Sequence, residues 1–240
     1  MKVRSSLLLF IALLAFAVPA AAQDEVLLSF TGYDYQTDGA PNAVYLAVGD
    51  SYYAVGFATS FHPVWLDPYV DTGVNEYTFY QSGLVVDTYD FTANVLVVTF
   101  MPGGQVEYFE DPSFDATNPP NPPNCPAYGS NPPNADAPSK FNNGLMAISG
   151  SLDNASLYFD YNLGQGGFQS EMNITGGAYA FYVPAPSWNG WFMSGLVVPP
   201  PGGNPCPAPA GYDHQLSGEC RHPVTASTRG TWGALKKLYR

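Results

Sequence analysis

Apolar and polar residues trade places at a period of two along most of this chain, and its interior nowhere sustains the 3.6-residue period of an amphipathic helix. The alternation runs through residues 26–30, 76–79, 105–108, 156–161 and 168–175, which read as strands with one dry and one wet face. The run Val95-Leu96-Val97-Val98-Thr99-Phe100 lacks it and reads as a central strand buried on both faces. Pro102-Gly103-Gly104, Leu152-Asp153-Asn154 and Gly164-Gln165-Gly166-Gly167 punctuate the runs as hairpin connections. The expected fold is all-β, antiparallel, packed as a sandwich or closed as a barrel, and the pattern leaves those two open.

Two segments interrupt the strands. Residues 111–139 repeat Asn-Pro-Pro-Asn three times, and residues 199–209 are also rich in proline. Proline donates no hydrogen bond to a ladder, so both are expected to be long surface loops. A last strand-like piece surrounds residues 212–219.

The chain opens with Lys2 and Arg4, an apolar stretch to Val18 and then Ala20-Ala21-Ala22, the three parts of a cleavable signal peptide. Residues 1–22 are therefore expected to be removed before Gln23, delivering the protein to the periplasm, cell surface or medium. Charge divides what remains. Residues 23–220 hold Lys140 against all twenty carboxylates, a formal charge of −19, whereas residues 221–240 hold five basic residues and no acid. So acidic a body repels phosphate backbones, which excludes nucleic acid as its partner. At this length residues 23–220 form one β domain, followed by a separable basic tail, 221–240.

Several phrases resemble a group of uncharacterised secreted bacterial proteins known mainly from environmental genomes. They are Glu76-Tyr77-Thr78-Phe79 with Ser82-Gly83-Leu84, Asp111-Pro112-Ser113, Asn131-Pro132-Pro133-Asn134-Ala135 with Pro138-Ser139, and Gly211-Tyr212-Asp213 with Gln215-Leu216 and Gly218. The ending, Trp232-Gly233-Ala234-Leu235-Lys236-Lys237-Leu238-Tyr239-Arg240, is similar to a tail of Trp-Gly-x-x-Lys-x-Leu-Tyr-Arg type shared by many secreted proteins of those bacteria. The resemblance implies export and a sorted tail and carries over no catalytic residue. The cysteines are not part of it.

In the tail, Trp232, Leu235 and Leu238 or Tyr239 fall on one helical face, with Lys236 and Lys237 off it. A short basic helix ending in Arg240 suits an anionic membrane surface or a sorting receptor, and docking on the acidic body is its rival. Of three cysteines, Cys206 and Cys220 form the preferred bridge; Cys125 with Cys206, or no bridge at all, stay open. His62, His214 and His222 have no zinc-site spacing, and no nucleophile elbow, phosphate loop or dinucleotide fingerprint occurs.

No organic cofactor is expected, and calcium is the ion the acids suit. Glu110, Asp111 and Asp115 gather at a strand-to-loop junction, and Asp67, Asp71, Asn75 and Glu76 form a second oxygen-rich group. Aromatic residues crowd residues 179–192, where Tyr182, Trp188 and Trp191 are candidates for stacking on sugar rings, with core packing as the alternative. The function expected is that of an exported, non-enzymatic β domain of the cell envelope or surface. The alternative is a carbohydrate-binding module or a glycan-active hydrolase, the latter needing only two carboxylates across a cleft.

Overall fold

The structure, a computed structural model, describes residues 25–36, 46–116, 139–199 and 211–222. The expected signal peptide, most of both proline-rich loops, Cys125, Cys206 and the whole tail from Trp232 through Leu235, Lys236, Lys237 and Tyr239 to Arg240 lie outside the described residues.

Among the described residues nine strands form: β1 (Glu25–Gln36), β2 (Ser51–Phe61), β3 (Glu76–Thr92), β4 (Val95–Phe100), β5 (Gly104–Asp111), β6 (Leu145–Asp160), β7 (Gln165–Gly176), β8 (Trp191–Val198) and β9 (His214–His222). All pairings are antiparallel, and β9 returns to pair with β1. The sheet thus closes as an up-and-down barrel of eight strands, with β4 as an extra strand. Closure removes the exposed edges that an open sheet would offer for aggregation. Helical structure is limited here to single 3-10 turns at Asp67–Tyr69, Ala180–Tyr182 and Ala185–Ser187.

Three local expectations are corrected. β4 and β5 pair with the same two neighbours, β3 and β6, at successive levels, so Pro102-Gly103-Gly104 is a break in one line of chain and not a hairpin. Leu152-Asp153-Asn154 lies inside β6, where the register slips between Asp153 and Ser156 and Asn154 takes φ 52°; it is a bulge. β4 is dry on one face only: Leu96, Val98 and Phe100 are buried while Val97 is 44% exposed, because a barrel has one interior. The true turn between β3 and β4 is Ala93-Asn94, both at the positive φ a two-residue hairpin demands.

The interior is built from rings laid over bare backbone. Gly32 faces Gly56, and Gly195 faces Gly218, across neighbouring strands. A Cβ on Gly32 would meet the Val55 carbonyl oxygen at 2.1 Å, and one on Gly195 the Ser217 oxygen at 2.2 Å. Phe79 covers Gly56, and Phe30 covers Gly218. Phe30 then meets Phe79 edge-on at 5.4 Å and Phe168 at 5.8 Å. What remains among Tyr52, Leu84, Phe100, Phe168 and Met193 is a cavity of about 20 Å³, room for about one water. One end is stoppered by Leu66 and Val183 from its loops, where His62 stacks on Trp65 and Trp65 meets Trp191 edge-on.

Outside the barrel, β1–β3 carry a second apolar layer of Tyr35, Tyr53, Val55, Phe57 and Tyr80. Residues 112–116 and 139–144 cover part of it. Phe141 packs on Phe57 with ring centroids 5.4 Å apart, and its carbonyl accepts from Thr78 Oγ1 at 3.0 Å.

Candidate functional site

The covering segment creates the main acidic site. Glu76 of β3 and Asp111 of β5 are direct partners in the antiparallel register, so their side chains leave the same, outer face. The chain then turns through Ser113, whose backbone N–H and hydroxyl donate to the two Asp111 oxygens at 2.8 and 2.7 Å. This brings Asp115 over the pair, and Ala116 N donates to Glu76 Oε1 at 2.8 Å. Glu76, Asp111 and Asp115 each offer an oxygen within 4.8 Å of the others; the first two are 4% exposed. Asn143 donates to Asp115 Oδ2, while Asp115 Oδ1 is buried with no hydrogen-bond partner among the described residues. The arrangement can hold a metal ion.

Glu110, expected in this cluster, is not part of it. Neighbours along a strand point to opposite faces, so Glu110 turns to the barrel end and accepts from Asn75 Nδ2 (2.5 Å), Tyr77 Oη (3.0 Å) and Tyr179 Oη (2.6 Å). Burial first, then the Glu110 hydrogen bond and charge, push the Tyr179 hydroxyl above its ordinary pKa. Of the second oxygen-rich group, Asp71 caps its own turn by accepting from Gly73 N, and Asn75 goes to Glu110. Only Glu76 joins the triad.

The sugar-stacking row also dissolves. Trp191 is fully buried, its Nε1 donating to the Ser187 carbonyl, because it begins β8 on an inward position. Trp188 is half-buried against the core and donates to Val183 O at 2.9 Å. Tyr182 lies instead between Tyr69, stacked at 3.5 Å, and Phe181 at 3.9 Å, with Phe181 70% exposed. The preferred bridge is corrected as well: Cys220 is a free thiol pointing into the core from β9, 3.8 Å from Met172 Sδ, and burial pushes its pKa up.

At the opposite end sits a polar cluster that sequence reasoning missed. Asp34, fully buried, accepts from Tyr52 Oη (2.7 Å) and His214 N (2.6 Å) and lies 3.1 Å from His214 Nδ1. Burial alone would lower the imidazole pKa. The charge and hydrogen bond of Asp34, with the charge of Asp213, outweigh it and raise it. Asp213 is itself raised to about 7, by burial first and then by Asp34, with His214 opposing. The only sequence signal was phase: Asp34 continues the inward series Leu28, Phe30, Gly32. By contrast, His62 accepts from the backbone N–H groups of Val64 and Trp65, and burial lowers its pKa.

Comparison with protein-family profiles, with curated proteins and with solved structures found no match to this chain.

Proposed function

We propose that this protein is an exported, non-enzymatic β-barrel domain of the cell envelope or surface that works through its outer wall and end loops. The filled interior carries the reading. Among the described residues the side chains packed inside leave a cavity of about 20 Å³, too small for a ligand larger than water, so recognition falls to the outside. The signal-peptide pattern and the basic tail support delivery out of the cytoplasm, the tail engaging a membrane surface or sorting receptor. Fractionation tests it. The exported chain should begin at Gln23, and deletion of residues 228–240 should redistribute the protein among envelope fractions and medium with its melting temperature unchanged. Retention of Met1, or a destabilised and normally located truncation, would defeat the reading.

A second reading concerns the triad, which suits calcium. Hard cations take carboxylate oxygens, and the unpartnered Asp115 Oδ1 is an acceptor awaiting a charge. Calcium at about ten times its Kd would stabilise the fold by about 1.4 kcal/mol, a rise in Tm of roughly 3–5 °C. Asp115→Asn should abolish that rise. Identical melting in calcium and in chelator rules the site out.

A further inference from the structure

We infer that a trough on the outer wall of the barrel, crossing β2, β1, β9 and β8, is a binding site for a neutral oligosaccharide. It is a shallow, open depression of about 510 Å³. Ser29, Thr59, Ser194, Ser217, Glu219 and Arg221 line it, and its floor includes Gly195 and Gly218. The facing glycines let the backbones of β8 and β9 approach closely, since a Cβ on Gly195 would meet Ser217 O at 2.2 Å and one on Gly218 would meet Ser194 O at 2.3 Å.

The register places the chemistry. Ser29, Glu219 and Ser194 form one row across three strands, and Thr31, Ser217 and Leu196 the next. Arg221 pairs with Phe192, whose ring is 43% exposed on the same outward face. Arg221 Nε donates to Glu219 Oε2 at 2.5 Å, so the two charges cancel inside the trough. Among the described residues no side-chain hydrogen bond engages the hydroxyls of Thr59, Ser194 or Ser217.

These groups select the ligand class. Hydroxyls donate and accept, as sugar hydroxyls do, and the remaining guanidinium N–H groups and Glu219 Oε1 add a donor and an acceptor side by side. Phe192 offers a flat apolar face to the C–H side of a pyranose ring. An anionic ligand meets a body of charge −19, and an apolar one would strand the hydroxyls unpaired. A neutral polyol satisfies both conditions.

The test is affinity electrophoresis of the full mature chain in native gels containing starch, laminarin, galactomannan or arabinoxylan, with light scattering in parallel. At least one polymer should retard the wild type. Ser217→Phe, which fills the trough from an exposed position, should abolish retardation, and Phe192→Ala should weaken it by about fivefold, the loss of roughly 1 kcal/mol of stacking. Both variants should keep the wild-type Tm, and Phe181→Ala at the barrel end should bind as wild type does. The inference is overturned if no polymer retards the protein, if retardation survives Ser217→Phe, or if Phe181→Ala removes it. A dimer that Ser217→Phe splits would also overturn it, since a second copy would then cover the trough. Where the protein is delivered is read separately by fractionation, so the sugar site can fail while the export reading stands.

Discussion

Replacing Asp34 by asparagine removes one negative charge from the barrel end while keeping the side chain's volume. The carboxylate accepts from Tyr52 Oη and His214 N and faces His214 Nδ1, and it has no solvent to fall back on. In the wild type the raised pKa values of His214 and Asp213 mean that the folded state binds more protons than the unfolded chain. Stability from both groups is therefore complete below the unfolded pKa values and is lost as pH rises through the folded ones. For Asp213, moving from 3.8 to about 7, the loss is up to about 4 kcal/mol across that window. In Asp34→Asn the charge that held the imidazole protonated is gone, and burial now disfavours its cation. At pH 5 the variant should lose about 3 kcal/mol, as for a buried pair deprived of one partner, or roughly 6–12 °C in Tm. At pH 8.5 less of the His214 cation remains to be lost and Asp213 is freed of a repelling neighbour, so the penalty should shrink to about 1 kcal/mol. Urea titrations of both proteins at the two pH values measure the difference. A penalty that is flat with pH, or larger at pH 8.5, would refute the assignment of Asp34 as the charge that sets this end's protonation.

Trp191→Ala should destabilise the barrel by about 3–5 kcal/mol, since the ring is fully buried and its Nε1 bond to Ser187 O is lost, whereas Phe181→Ala, 70% exposed, should change Tm by no more than 1–2 °C in thermal melts. Gly218→Ala places a methyl 2.3 Å from the Ser194 carbonyl oxygen and 3.0 Å from the Phe30 ring; thermal melts should show a fall of about 5–10 °C, and an unchanged Tm would mean that the strands do not approach so closely.

Period-two alternation made the all-β class legible, and residues 26–30, 105–108 and 168–175 fall inside strands. Closure was not legible, because alternation records that a strand has a dry face and not which strand completes the ring. The breaks misled for a related reason. Pro102-Gly103-Gly104 has hairpin chemistry, yet the long partners β3 and β6 run past it on both sides and hold the chain straight. Ala93-Asn94 lacks the glycine that marks such turns and went unread. At the acidic site Asp111 and Asp115 were visible as neighbours, but Glu76 enters only through the β3–β5 register, and the same register sends Glu110 elsewhere. The Asp34–His214 contact spans 180 residues and leaves no local trace.

The two outer walls of this barrel differ because their outward residues differ, although the strands beneath are alike. On β2 and β3 the outward positions are Tyr53, Val55, Phe57, Thr78 and Tyr80, which would expose a large apolar face if left bare. Phe141 and Ala116 lie over part of it, and anchoring Ala116 N on Glu76 Oε1 draws Asp115 towards Asp111. The acidic triad is thus tied to the covering of an apolar wall: a cation held there would fasten the segment to the strands it shields. On β1, β9 and β8 the trough is lined by hydroxyls and one neutralised ion pair, with Phe192 and Leu196 as exposed apolar side chains on the same face of β8, and no described residue covers it. Among the described residues the barrel therefore presents one wall that residues 112–116 and 139–144 partly occupy and one that none of them covers, and the open wall is where an external ligand has access.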